Sequence, residues 1–326
     1  MFSRQEFRRA FPGEIAELSY PPRVVEWYTH ALLRSVNLNG VRDADLKVVA
    51  DCAGGTVSLV LPTLLGRIGV EVHTLNNRLD EINPTQTVAQ QRAGMQRLAE
   101  VVSSSRATFG VRFDTVGERI QLVDEKGALV SDERALLVVL DLVAAERRHG
   151  RVALPVNTTR VAEQVCRFHG VQVTWTGTSQ EALTTAAAAD DVIFAADGRG
   201  GFVVPSFART VDGIAAFVML LGLVARTRLT LSQIDARIPQ AHLLRRSIPT
   251  PWAAKGSVMR TVVEAAADQS VDTTDGVRII DPDRGWVLVL PDPADAVTHL
   301  WAEGTDADNA QLLLDEWATV VEQADQ

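Results

Sequence analysis

Cysteine and tyrosine are the scarcest residues of this 326-residue chain, with two of each. Two cysteines, Cys52 and Cys166, make no disulfide framework, and neither has a second Cys or His nearby at metal-ligand spacing. Both are expected to be buried free thiols, which suits a reducing, cytoplasmic compartment. Long apolar runs are missing too: the longest, Ile214 to Arg226, is too short to span a bilayer. Residues Met1 to Phe7 place an acid where a secretory signal would be basic and then apolar, so neither export nor membrane insertion is expected. Clustered positive charge is also absent. The net charge is -9, and no stretch concentrates Lys and Arg among aromatics, which excludes nucleic acid and anionic membranes as expected partners. No tract has low complexity.

What remains is the composition of a globular protein, 46% hydrophobic and 22% charged. The length predicts two or three units, each burying its own apolar surface. From Leu46 the chain alternates strand-like and helix-like segments. Residues 46–51, 70–75 and 107–113 read as strands, with helices over 58–66 and 87–102 between them, which implies a parallel sheet covered by helices. An extra strand follows at 119–124, with a turn at 125–127. A second cycle opens at Ser131, where a hydroxyl followed by Asp132 and Glu133 meets the free amides and positive end of a helix. It continues as strand 151–155, helix 160–169, strand 171–175, helix 180–188 and strand 191–195. Beyond Pro239 the pattern changes to a helix over 255–267, strands over 276–280, 285–290 and 297–301, and a terminal helix over 307–322. Strands joined by a turn such as 281–285 predict an antiparallel sheet with helices on one face.

Three segments carry groups with chemistry. The loop Phe113 to Arg119 leaves the last strand of the first unit, the end at which parallel sheets bind ligands. Asp114 and Glu118 can both reach one hard cation, since Mg²⁺ takes oxygen ligands and commonly only one or two carboxylates. Alternatively, Asp114 caps a turn and Glu118 pairs with Arg119 at the surface. The second segment is Asp197-Gly198-Arg199-Gly200-Gly201, at the end of the last strand of the second unit. Its glycines allow close approach of a ligand, Asp197 can accept from sugar hydroxyls and Arg199 can hold a phosphate; the alternative is a loop that turns the chain. The third holds Lys255 and Arg260 near a helix start, where they either contact an anion or sit in solvent while Trp252 and Met259 pack. Residues Asp51 to Thr56 lack the full dinucleotide fingerprint and read as a tight turn. No histidine stands beside a Ser or Cys in a recognisable nucleophile motif, although folding can still join distant residues into a triad.

The series Asp51-Cys52-Ala53-Gly54-Gly55, Phe113 to Arg119, Leu122 to Gly127 and Asp197 to Gly201, with Gly285 to Pro291 behind it, resembles the second, third and fourth domains of the α-D-phosphohexomutases. That family includes phosphomannomutase and phosphoglucomutase. The resemblance implies two mutase-like α/β domains followed by a smaller α+β domain. It divides the chain into a helical lead-in over 1–45, a metal-loop domain over 46–128, a sugar-loop domain over 129–240 and a C-terminal domain over 241–326. It implies a hexose phosphate or sugar nucleotide as ligand, Mg²⁺ as cofactor, and transfer of a phosphoryl group between the 1 and 6 positions of a hexose through a phosphoserine. Residues 14–23, 250–256 and 290–293 resemble more narrowly the mutase-like half of bacterial mannose-1-phosphate guanylyltransferase-like fusions, which implies a nucleotidyltransferase domain or chain as partner.

The departures set further expectations. Asp114, Val116 and Glu118 fall on the three acids of the family metal loop, and a valine cannot coordinate Mg²⁺. The glutamate of the sugar loop falls on Gly198, unless Asp197 serves through a shift. The phosphate loop falls near 290–296, where Asp292 and Asp295 stand in place of cationic and hydroxyl groups. The phosphoserine motif is absent from residues 1–45. These departures predict impaired catalysis by the isolated chain or, in the alternative, a non-catalytic sugar-phosphate-binding or assembly module.

Overall fold

The computed structural model describes residues 10–82 and 85–324. After helix α1 (Val24–Ser35) the chain builds a five-stranded sheet from β1 (Lys47–Asp51), β2 (Glu71–Leu75), β3 (Phe109–Phe113), β4 (Ile120–Val123) and β5 (Leu129–Val130), in the order β2-β1-β3-β4-β5. β1 runs parallel to both β2 and β3, linked by α2 (Val57–Ile68) and α3 (Val88–Ser105), while β4 and β5 are antiparallel additions. A capping box fixes the start of α3: the Thr87 hydroxyl accepts from Gln90 N–H and the Gln90 side chain accepts from Thr87 N–H. β4 and β5 pair as a short hairpin around the turn 124–128.

A second sheet has the order β7-β6-β8-β9, from β6 (Arg151–Pro155), β7 (Gln172–Thr176), β8 (Val192–Ala196) and β9 (Phe202–Val203). Its helices are α4 (Asp132–Arg147), α5 (Val161–Phe168), α6 (Gln180–Ala186), α7 (Gly213–Thr227) and the short α8 (Leu231–Asp235). Ser131 caps α4 as its sequence predicts, accepting from Arg134 N–H. The apolar run at 214–226 becomes α7, apolar nearly all round because it is enclosed. Among the described residues no helix is long and apolar enough to cross a membrane.

The two sheets do not bury their surfaces separately. Phe109 and Phe113 of β3, Leu137 and Leu140 of α4, Phe194 of β8 and Phe217 of α7 belong to one continuous core. The Phe217 ring meets Phe113 edge-on at 5.7 Å and Phe109 at 6.4 Å. Helices α4 and α7 thus act as a filling common to both sheets.

The third sheet is wholly antiparallel, in the order β10-β14-β13-β12-β11, from β10 (His242–Pro249), β11 (Ser270–Asp272), β12 (Val277–Asp281), β13 (Gly285–Pro291) and β14 (Val297–Gly304). Helices α9 (Lys255–Ala265) and α10 (Ala307–Ala324) pack on one face, with Val258, Val262 and Trp317 over Val287, Val289 and Leu300. The opposite face sets Trp286, Leu288 and Trp301 against Val156, the residue that follows β6. That junction is polar at its edge: the buried Glu303 accepts from the Thr159 hydroxyl, from Arg160 N–H at 2.8 Å and from Trp286 Nε1 at 2.6 Å. The α/β pair followed by an α+β unit is the architecture expected.

Candidate functional site

Three loops meet at the carboxyl ends of the parallel strands. The loop 114–119 after β3 is folded on itself: Asp114 Oδ1 accepts from Glu118 N–H at 2.8 Å and the Asp114 carbonyl accepts from Gly117 N–H at 3.2 Å. Asp114 thus caps the turn, Glu118 is exposed, and Val116 projects into solvent at 62% exposure. The main chain holds this loop from two sides, since Thr115 O accepts from Thr56 N–H at 3.0 Å and Gly117 O from Gly213 N–H at 2.9 Å. The approach explains Gly55, where an added Cβ would lie 2.4 Å from Thr115 O. Residues Asp51 to Thr56 are the tight turn expected of them.

Arg119 does not pair with Glu118. Its guanidinium reaches across to Asp197, at the end of β8, and Ile120 N–H donates to Gly200 O at 3.0 Å. The two loops that the sequence singles out are therefore stitched together. Asp197 Oδ1 also accepts from Arg199 N–H at 2.8 Å and Gly201 N–H at 2.9 Å, so this carboxylate is largely committed to protein donors. Gly200 has φ +81°, and a Cβ there would meet Ile120 O at 2.4 Å, so its glycine serves the seam between loops. Gly198 and Gly201 belong to the same turn, and Arg199 projects from it, exposed.

Arg199, Asp197 and Asn157 line two adjoining cavities. One, of about 70 Å³, is completed by Arg119, Thr178 and Gln180; the other, of about 130 Å³, lies against the third sheet and is completed by Glu133, Thr158, Arg245 and Trp301. Asp132 and Glu133, which the sequence offers only as helix-start acids, stand at this edge. Burial raises both carboxyls above the usual range, helped by Asp197 for Asp132 and by Glu303 for Glu133.

Lys255 and Arg260 stand apart from these cavities. The Lys255 ammonium sits over the Trp252 ring at 3.6 Å and donates to the carbonyls of Asp292, at 2.6 Å, and Asp295, in the loop between β13 and β14. Arg260 is exposed on α9. Within that loop Asp292 Oδ1 accepts from Ala294 and Asp295 N–H, and its other oxygen faces His299 Nε2 at 3.0 Å. These bonds hold the Asp292 carboxyl down at about 2. His299 Nδ1 meets Ser247 Oγ at 2.8 Å across the β10–β14 ladder, so folding does join a Ser, a His and an Asp. None of the three lines the cavities.

Sequence reasoning misses Asn157, Arg245 and Trp301. The usable signal was the segment His242 to Pro249, whose adjacent arginines point to opposite faces once it is a strand: Arg246 pairs with Asp315 of α10 at 2.6 Å, and Arg245 turns to the cavity. Both cysteines are buried free thiols as expected, with burial pushing each up to about 12.

Residues 26–127 match the model for phosphoglucomutase/phosphomannomutase α/β/α domain II, and residues 131–242 match that for domain III, together about two thirds of the chain. A Methanopyrus kandleri protein named "Probable phosphoglucosamine mutase" is 27% identical over 296 residues, covering 90% of this chain; the chain spans 65% of that relative's length. Among solved structures, a phosphoglucomutase/phosphomannomutase family protein of Burkholderia thailandensis superposes with a TM-score of 0.75 at 19% identity, over 92% of this chain and 64% of its own. The Aspergillus fumigatus N-acetylphosphoglucosamine mutase, solved with GlcNAc-6P and magnesium, gives 0.63 at 13% identity, over 95% of this chain and 68% of its own. Two successive domain matches, in order and on the two sheets whose loops meet at the cavities, place the chain in the phosphohexomutase family, of which it carries domains II and III.

Proposed function

We propose that the chain binds a hexose phosphate in the groove beyond the carboxyl ends of β6, β7 and β8, and that this binding is not coupled to efficient metal-assisted phosphoryl transfer. The observation that carries the reading is the contrast between the two loops. Arg199 and Asn157 are uncommitted at the meeting of two cavities, on the edge where such sheets take ligands. The loop at the family's metal position offers little to a cation: Asp114 caps its own turn and exposed Val116 has no lone pair to give. Among the described residues no three His, Cys, Asp or Glu side chains converge as a metal site. The residues present therefore do not fit a three-carboxylate Mg²⁺ centre, and no step is routed through one. A sugar phosphate as ligand class is supported by the Aspergillus neighbour, which was solved with GlcNAc-6P.

Calorimetry with glucose 1-phosphate, mannose 1-phosphate and glucosamine 6-phosphate tests the binding, and incubation with Mg²⁺ and a hexose bisphosphate tests the chemistry. Saturable binding without turnover is expected. Turnover that vanishes in Asp114→Asn, which keeps the cap acceptor and removes the charge, would sink the non-catalytic half of the reading.

A second reading, an assembly module for a mannose-1-phosphate guanylyltransferase-like partner, is favoured by one feature. Phe11, Ile15, Leu18, Tyr20 and Trp27 are all exposed within seventeen residues, the last two at 85% and 59%. Co-elution with such an enzyme, lost on changing Leu18 and Tyr20 to serine, is its test.

A further inference from the structure

We propose that Arg199 and Arg245 form a two-arginine clamp for the phosphoryl group of a sugar phosphate, between the second and third sheets, in place of the β13–β14 loop. The proposal rests on the hexose-phosphate reading above and deepens it. The two guanidiniums come from different parts of the chain, one from the β8–β9 turn and one from β10, and line the same cavity of about 130 Å³. That is several times the space one water needs. The Arg245 guanidinium lies over the Trp301 ring at 5.0 Å, which orients its plane and leaves its N–H edge free.

Among the described residues neither guanidinium of this pair is in direct contact with a carboxylate. Elsewhere Arg119, Arg134, Arg151, Arg226, Arg246 and Arg284 each meet a carboxylate. Among the described residues neither Arg199 nor Arg245 has a side-chain ion pair or hydrogen bond. Arg199 and Arg245 feel each other: after burial, the Arg199 charge most disfavours the Arg245 cation, and the more weakly felt Asp292 carboxylate only partly offsets it. Two permanent like charges beside one cavity make a field that an anion relieves. The nearby acids are spoken for, Asp197 by Arg119 and two backbone amides, Asp292 by two amides and His299.

The β13–β14 loop cannot play this part. Its carbonyls are turned onto Lys255, so the ammonium there is consumed internally. Glu133 lines the clamp's cavity and would repel a bare phosphate, but it suits a ligand with hydroxyls next to its anion. Two guanidiniums and one carboxylate together complement a sugar phosphate better than inorganic phosphate or a neutral sugar.

Calorimetry of the full chain with glucose 6-phosphate, inorganic phosphate and glucose, at near-physiological salt, tests this. The expected order of affinity is glucose 6-phosphate, then phosphate, then glucose. Arg245→Gln and Arg199→Gln should each weaken glucose 6-phosphate by about 10- to 100-fold, the size of a charge-assisted bond, with circular dichroism unchanged. Glu133→Gln should weaken glucose 6-phosphate without weakening phosphate, and Arg260→Gln should change neither. Arginine variants that bind glucose 6-phosphate as tightly as the parent overturn the clamp and leave the hexose-phosphate reading standing. Phosphate binding that depends on Arg245, with no preference for the sugar phosphate, overturns that reading and keeps the clamp. A parent chain that binds no anion overturns both.

Discussion

Asp292 is an acid in a loop where the family resemblance calls for groups that bind phosphate, and its environment explains why the loop tolerates it. The carboxylate accepts two backbone N–H groups, from Ala294 at 2.7 Å and Asp295 at 2.8 Å, and faces His299. Ala294, then Asp295, then His299 hold it down at about 2, from 3.8. A carboxyl depressed by folding adds stability that is fully present above its unfolded value and is lost as pH falls through its folded one. The parent should therefore lose this contribution between about pH 4 and about pH 2, a window set by the depressed value. Denaturant midpoints measured across that range should converge for the parent and Asp292→Asn, whose difference is greatest at neutral pH. A difference that stays constant down to about pH 2 would assign the acid sensitivity to other carboxylates.

At the scale of elements, α7 decides how the first two sheets behave. Phe217 touches Phe113 and Phe109 of the first sheet from a helix that follows the second. Phe217→Ala is expected to cost about 3–5 kcal/mol, the transfer term plus the cavity left behind. Because the core is continuous, amides of β1 and β6 should lose hydrogen-exchange protection together. Loss confined to one sheet would mean that the units are separable after all. The same elements show what the sequence discloses. β1, β3, β6 and β8 are short β-branched or aromatic runs between turn residues, and their alternation with helices announces parallel sheets. β10 escapes notice because Arg245 and Arg246 interrupt the apolar pattern of an edge strand, and β5, β9 and β11 are two or three residues long. Loops 114–119 and 197–201 were legible as candidates because strand order alone places them at the ligand edge. The Arg119–Asp197 pair, 78 residues apart, and the position of Arg245 were not, since both depend on how distant sheets pack.

For the whole molecule, the weak point is the junction of the second and third sheets. Its polar contacts converge on two carboxylates: Glu303 accepts from Thr159, Arg160 and Trp286, and Asp275 accepts from Thr178 N–H at 2.7 Å and its hydroxyl at 2.6 Å. Glu303→Ala would strand three donors, at about 1–3 kcal/mol for each that stays dry. The expected outcome is a C-terminal sheet that unfolds in its own transition, ahead of the shared core, with the scattering radius increasing before the main loss of helix signal. Glu303→Gln, which keeps an acceptor, should restore most of the coupling. One cooperative transition in Glu303→Ala would place the strength of the junction in Trp286, Leu288 and Trp301 instead.

The seam between the loops is made of main-chain bonds: Thr56 to Thr115, Gly213 to Gly117, Ile120 to Gly200. Peptide groups are the same whatever side chains they carry, so apart from glycines such as Gly55 and Gly200, where a Cβ would collide with the main chain, these bonds ask little of the side chains. The Val116 side chain, 62% exposed, takes no part in these bonds, so a substitution there would leave the frame standing. A side-chain oxygen introduced at 116 would therefore stand on an intact frame.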